Sequence, residues 1–516
     1  MEEETSLTDE IVQGGFWAGF ATLLNRIGAF IFSIILARFL FPENFGLYSL
    51  AMSLATIFTT FADFGLNSTL IRYFSSSMKN KSKSAKYFQY IFKLKFFISL
   101  FASLSLLFLA YPISFFIYKK PELFMPLIVS SLFIFTFLFS DFFSSFFYAI
   151  KKINYIAIKE ILSQIIRLII TILVFILLLS SYHVLGVLFG MILNNLIMIL
   201  FLLIWINKLT PYIFKTSKSK EEEKIDKKRV FKYVGWITLA YISGIFFTTT
   251  DIVMLGFFVS LSYIGFYKVA TSLIIGAVSL FTHLGFVILP SFTILKKNRL
   301  EQAFNKVLRI TLILSIPTAF GILALGKYFI KFLFGDAYML SRFPLYYLSF
   351  LLLFWVSITI IVAVFFSHEK PKYVAIVTIT VLLLNIILNY ILISALIRIS
   401  ESLAIQGAAI ATTISFFFYF LVISALLKKK FNIGIIKTNV FKPIIAGLIM
   451  FLFLYAANSY LFRNITLSLG IIEIFFGAAI YFLALFLIKG ISIEDFQLLK
   501  RMPFLNKLNK LNHNKI

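Results

Sequence analysis

The stretch Leu36 to Gly65, LARFLFPENFGLYSLAMSLATIFTTFADFG, joins two strongly apolar segments, and its reading decides the fold. Pro42, Glu43 and Asn44 make a turn signal near its start, because proline fixes its own φ and lacks a donor. Gly46-Leu47-Tyr48 follows, and the stretch closes on Asp63-Phe64-Gly65 inside apolar sequence. Both marks return. Gly265-Phe266-Tyr267 repeats the first, and the frame Phe281 to Gly285 repeats the second, at offsets of 219 and 220 residues. Ala149 to Tyr155 is answered by Ser367 to Tyr373 at 218 residues, and Gly186 by Gly407 at 221. Four anchors in one order with one period predict a duplicated six-helix unit. Six is even, so both copies enter the membrane from the same side, with a pseudo-two-fold along its normal.

A membrane is required by composition. The chain has 516 residues, 60% of them hydrophobic and only 14% charged, with a mean hydropathy of +0.97, too apolar for a soluble globular domain. The expected class is an all-α polytopic membrane protein. Windows near 20 residues, enough to cross about 30 Å of hydrocarbon, give about fourteen spans. They lie near 15–38, 46–70, 87–110, 122–149, 153–180, 183–207, 233–258, 262–290, 306–333, 343–366, 373–397, 403–427, 438–461 and 466–488. Residues 1–207 form an N-lobe of six helices and 233–430 a C-lobe of six. The mixed-charge loop 208–232 joins them, 431–490 adds two helices, and 491–516 is a tail with a short interfacial helix.

The basic residues test this count. With the N-terminus in the cytoplasm, 37 of the 48 Lys and Arg fall on the inner side and 8 on the outer, leaving Arg26, Arg167 and Lys268 within spans. That asymmetry fits the positive-inside rule with both termini cytoplasmic, and the expected location is the plasma membrane. The net charge of +26 is then topology, with anionic membrane lipid rather than nucleic acid as its partner. The N-terminus carries no basic residue before its first apolar run, so the first helix is expected to be retained. With no Cys and four scattered His, neither thiol chemistry nor a metal site is expected, and no cofactor is implied. Walker A, HExxH and GxSxG patterns are absent, which argues against an enzyme.

An ionised side chain at mid-bilayer costs about 2.5–3.5 kcal/mol on insertion scales, so each one demands a polar surrounding. Helical spacing groups them into stripes. Thr22, Arg26 and Ser33 share a face of span one; Ser53, Thr56, Thr60, Asp63 and Asn67 share one of span two. Span five carries Glu160, Gln164, Arg167 and Thr171, span seven Thr238, Tyr241, Gly244, Thr248 and Asp251. Span eight carries Lys268, Ser272, Gly276, Ser279 and His283, and span eleven Asn385 and Asn389, while Asp141 stands in span four. Two readings compete. Polar stripes act as glue between helices, with Arg26 or Arg167 neutralised by Asp63 or Glu160, or they line a cavity between two lobes. A guanidinium presents a planar fork suited to phosphate. Candidate substrate-binding residues are therefore Arg26, Arg167, Lys268, Asn385 and Asn389. Asp63, Asp251, Asp141 and Glu160 are candidates for ion pairing or for a coupling cation, H+ or Na+.

The signature LARFLFPENFGLYSLAMSL followed by Asp63-Phe64-Gly65 resembles the polysaccharide-biosynthesis, O-antigen-type flippases of the multidrug/oligosaccharidyl-lipid/polysaccharide exporter superfamily. Asp251 to Gly256 with Gly265 to Tyr267, His368 to Asn389, and Gly407 to Ala411 are similar to later landmarks of that family. The resemblance covers roughly residues 10 to 490. It implies two six-helix lobes around a central cavity. The implied cargo is a polyprenyl- or dolichyl-diphosphate-linked oligosaccharide moving from the cytoplasmic to the outer leaflet. Competing readings are a multidrug or organic-cation antiporter, a peptidoglycan-precursor flippase, a membrane scaffold, and an intramembrane enzyme.

Overall fold

The computed structural model describes residues 2–63, 65–213, 249–294, 297–368, 370–435, 441–460 and 467–490. Among them there is no β-strand. The first helix, α1 (Glu2–Asp63), runs 62 residues, about three times what one crossing needs. It is broken at one residue, Phe41, with φ 58 and ψ 169. The expected turn over Pro42 to Asn44 is thus a kink. Proline opens a helix without loss because its missing N–H has no partner there, but it expels the preceding residue from the helical region. Glu43 and Asn44 then continue the second half. A further break falls at Gly65, in the left-handed region at φ 65, where α2 (Leu66–Ser77) begins. The predicted second span therefore ends in a bend.

The rest of the N-half is α3 (Lys81–Pro112), α4 (Phe124–Ala149), α5 (Ile153–Leu177) and α6 (His183–Leu209). The C-half holds α7 (Thr249–Phe258), α8 (Leu261–Ile294), α9 (Lys297–Leu333), α10 (Arg342–Ser349), α11 (Leu351–Ser367), α12 (Pro371–Leu396) and α13 (Glu401–Phe431). Eleven helices among the described residues are long and apolar enough to span a membrane, and α10 with α11 makes a twelfth bent by 44°. The expected fourteen is approximate against that number. The break at Phe41 lets α1 hold two predicted spans in one run, and only α7 of the seventh falls among the described residues. Two more helices, α14 (Phe441–Tyr460) and α15 (Leu467–Leu487), pack on α9, outside the duplication. The interfacial tail helix and residues 214–232 of the joining loop lie outside the described residues.

Local sequence sets the helix ends. Asn80 accepts from the Lys83 amide at 3.1 Å and Ser400 from the Leu403 amide at 3.2 Å, capping α3 and α13. Asn432 closes α13 in the left-handed conformation. Phe74, Phe88, Phe142 and Phe146 interlock in the N-half with ring centroids as close as 4.9 Å, so part of the phenylalanine load is core and not lipid-facing surface.

The two halves meet along α1 and α8, the most extensive contact of any helix pair. At its centre the repeated glycines touch. A Cβ on Gly46 would fall on the carbonyl of Leu261 and close to the Gly265 amide, and one on Gly265 would fall on the carbonyl of Pro42. Only glycine lets the backbones come this near. Close by, Arg38 donates to the carbonyls of Phe332 and Leu333 at the C-terminus of α9, and Tyr338 donates to the Ala37 carbonyl at 2.7 Å. Tyr118 stacks on Phe257 at 4.4 Å and Lys120 donates to the Gly256 carbonyl at 2.6 Å. Burial pushes the Lys120 ammonium below the ordinary lysine value, against the opposing pull of Glu401 and Glu122. The halves are sealed at this end by N-half cations set on C-half helix termini, the end of a helix that favours positive charge. Arg38→Ala and Lys120→Ala are each expected to weaken the seal by about 1.5 kcal/mol, roughly tenfold in its opening. Thiol labelling of a cysteine placed at Phe257 reads this cleanly, since the chain has no cysteine of its own.

Candidate functional site

Between the halves lies a cavity of 360 Å³. Arg26 and Ser33 reach it from the first half of α1, Tyr48 from the second, Arg167 from α5, and Lys268 and Ser272 from α8. Among the described residues three cations and several hydroxyls line it, and no Asp or Glu does. Such a lining favours an anion with many acceptor oxygens.

The ion pairs explain why the charge stays positive. Arg167 lies over the Phe32 ring at 4.2 Å and donates to the Gln164 side chain, and its buried Nε has no partner among the described residues. Gln164 donates to Asn25 at 3.3 Å, and Asn25 donates to Glu160 at 2.8 Å. Glu160 is itself held by Lys159 at 2.9 Å. Arg167 therefore meets Glu160 only through two neutral amides. The Arg26 and Lys268 side chains make no hydrogen bond or ion pair to a described side chain, Lys268 accepting from Thr271 only through its backbone carbonyl.

Asp63 pairs with Lys95 on α3 at 2.6 Å, and Lys95 is fully buried. Of the two competing readings, the one in which Asp63 or Glu160 neutralises an arginine is thus not what the structure shows: each pairs with a lysine. Asp141 accepts from Asn67 at 2.5 Å beside this pair. Neither Asp63, Asp141 nor Glu160 lines the cavity.

A second polar centre is enclosed in the C-half. The Asp251 carboxylate, 6% exposed, accepts from Tyr267 at 2.5 Å, Thr412 at 2.7 Å and Asn389 at 2.9 Å. Asn385 donates to Thr412 and Ser415. Asn385 and Asn389 thus do not line the central cavity, as a substrate role had led us to expect. They surround Asp251, and each keeps a buried side-chain carbonyl oxygen without a donor. A carboxylate with only neutral donors, beside two bare carbonyls, is an oxygen-rich nest for a proton or a small hard cation. A small cavity of 50 Å³ lined by Asp251, Thr412, Thr271 and Lys268 lies between this nest and the central cavity.

Lys95, Tyr267 and Thr412 are the site residues that sequence reasoning missed. Ile91, Lys95 and Ser99 stand at i, i+4 and i+8 on the buried face of α3, a signal hidden by the basic residues that precede it. Tyr267 was in hand as half of a repeated mark, with no hint that its hydroxyl serves Asp251. Thr238, Tyr241, Gly244, Thr248 and the side chain of His283 lie outside the described residues. Among the described residues no cluster of three or more His, Cys, Asp or Glu suits a metal ion.

Known proteins share this architecture. A solved structure of the lipid II flippase MurJ in an inward closed conformation superposes with a TM-score of 0.72 over 92% of this chain and 98% of that one, at 17% identity. An inward-facing multidrug resistance MATE family transporter of the MOP superfamily gives 0.61 over 80% and 96%, at 14% identity. The fold is therefore that of these two-lobed proteins. In sequence the chain is 25% identical over 205 residues to the probable low-salt glycan biosynthesis flippase Agl15 of Haloferax volcanii, a match spanning 39% of this chain and 42% of that relative. A family model described as polysaccharide biosynthesis protein matches residues 11–296, more than half of the sequence and all but the first ten residues of the half that supplies Arg26 and Arg167. By that match the chain belongs to the polysaccharide biosynthesis protein family.

Proposed function

We propose that the protein is a flippase that carries a polyprenyl- or dolichyl-diphosphate-linked oligosaccharide from the cytoplasmic to the outer leaflet of the plasma membrane. Its two lobes give alternating access to the central cavity, for assembly of a surface glycan. The observation that carries this reading is the cavity lined by Arg26, Arg167 and Lys268 with no carboxylate among the described residues. A diphosphate needs such a lining, whereas an organic cation needs acidic groups, which disfavours the multidrug antiporter. A lipid-linked peptidoglycan precursor has the same diphosphate chemistry, so the assay below includes one. The fold and the name of the sequence relative support the class of cargo.

With both termini cytoplasmic, as the basic loops suggest, the seal around Arg38 and Lys120 is on the outer side and the molecule is closed outward. Moving about two negative charges out of an inside-negative cell gains about 2.3 kcal/mol per charge per 100 mV. Proton or sodium binding at Asp251 supplies a second driving term.

The test is leaflet accessibility of labelled lipid-linked oligosaccharide in proteoliposomes. Arg26→Ala and Arg167→Ala are each expected to slow flipping at least about tenfold, the size of one lost charge-assisted phosphate contact. Unchanged flipping in both variants removes the site assignment. Failure of wild-type protein to flip any diphosphate lipid removes the function.

A further inference from the structure

We propose that Lys268 is shared between the substrate anion and Asp251, and that cation binding at Asp251 decides which of the two it serves. This rests on the reading of the central cavity as a diphosphate site. The geometry that points to it is the pair of adjoining cavities. Lys268 lines both, together with Ile252 and Ile275, and it is the one polar residue they have in common. Its neighbour Tyr267, one position earlier on α8, already donates to Asp251. One turn of backbone therefore carries a group committed to the carboxylate and a flexible cation poised between the carboxylate and the anion.

The charges facing each end are few. Around Asp251 stand the neutral donors Tyr267 from α8, Asn389 from α12 and Thr412 from α13, with Lys268 across the small cavity. Around the central cavity Lys268 faces Arg26 from α1 and Arg167 from α5. When Asp251 is bare and ionised, it is the one carboxylate among the described residues that line the small cavity with Lys268. The small cavity is walled mostly by apolar side chains, with Asp251, Thr271, Thr412 and Lys268 as its polar groups, and at 50 Å³ it is large enough for a bridging water or for the ammonium itself. Lysine, a compact charge on a flexible stem, suits such a shift better than a guanidinium fork. When a proton or sodium neutralises Asp251, that pull vanishes. Lys268 then joins Arg26 and Arg167 on the diphosphate, and anion and cation bind with positive coupling. Reciprocity requires that the anion in turn raise cation affinity by the same factor.

Inorganic pyrophosphate serves as the probe, titrated onto the full chain in nanodiscs at fixed pH and ionic strength, in sodium chloride and in choline chloride. Wild type is expected to bind about tenfold more tightly in sodium, a size typical of coupling between sites. Asp251→Asn is expected to bind tightly in both salts, Lys268→Gln weakly in both, and Lys268→Arg to keep a sodium effect. If wild type shows no sodium effect but Asp251→Asn still binds about tenfold more tightly, the proton is the coupling cation and the exchange stands. A sodium effect that persists in Lys268→Gln overturns it. So does Asp251→Asn with the affinity of wild type in choline. Thermal melting of each variant checks folding, and the Asp251→Asn and Lys268→Arg arms decide the matter if Lys268→Gln does not fold. Failure of the cavity reading looks different: pyrophosphate binding is then indifferent to Arg26→Ala and Arg167→Ala.

Discussion

Replacing Lys95 by methionine is expected to destabilise the protein by about 1–3 kcal/mol, the cost of leaving a partly buried carboxylate without its partner. Lys95 is fully enclosed, and its ammonium reaches Asp63 at 2.6 Å. Asp63 is the last residue of α1, just before the left-handed Gly65, so the pair sits where the second predicted span breaks. A cation at that point also favours the carbonyl-bearing end of a helix. With methionine at 95, the half-buried Asp63 loses its counter-ion. The double variant Lys95→Met with Asp63→Leu is expected to recover most of the loss, because burying a pair gains little over packing two apolar residues. Thermal unfolding in detergent, run as a double-mutant cycle, measures both. A single variant within about 0.5 kcal/mol of wild type would show that the pair contributes nothing to the break.

The same residues show how far sequence reasoning reaches. The duplicated marks at Gly46 and Gly265 pointed to the two halves, because the close backbone crossing at which they meet constrains the sequence residue by residue. The family resemblance read from Leu36 to Gly65 agrees with the family match over 11–296. Partner choice was not legible. Asp63 lies on a polar stripe, but a stripe only says that one side of a helix avoids lipid, and two neighbouring elements compete for it. Here α3 wins with Lys95, 32 residues away. The same ambiguity put Asn385 and Asn389 on the substrate cavity when the C-half interior holds them. Arg26 and Arg167 were easier: a guanidinium in mid-span has few places to go, and both line the central cavity. The turn signal at Pro42 fell one residue from the break at Phe41, while the break at Gly65 escaped because apolar sequence continues through it.

The crossing of Gly46 and Gly265 carries the second large expectation. Gly46→Ala places a methyl carbon on the Leu261 carbonyl, and Gly265→Ala places one on the Pro42 carbonyl. Neither obstacle is a side chain that can rotate away. Overpacking of this kind costs about 1–3 kcal/mol, and more where backbone must yield. The clash lies on the boundary of the halves, so the cheapest relief is their separation at the end sealed by Arg38, Tyr338 and Lys120. Either variant is therefore expected to raise thiol labelling of a cysteine at Phe257, which stacks on Tyr118 across the seal, by about tenfold or more. In proteoliposomes flipping falls in parallel, because a carrier that cannot close one end cannot alternate. Combining Gly46→Ala with Gly265→Ala should add little, since one displacement of α1 from α8 relieves both contacts. Labelling that stays at the wild-type level while the melting temperature drops would mean that the halves yield within themselves, leaving the seal intact. Additive losses would mean that the two glycines do not share one crossing.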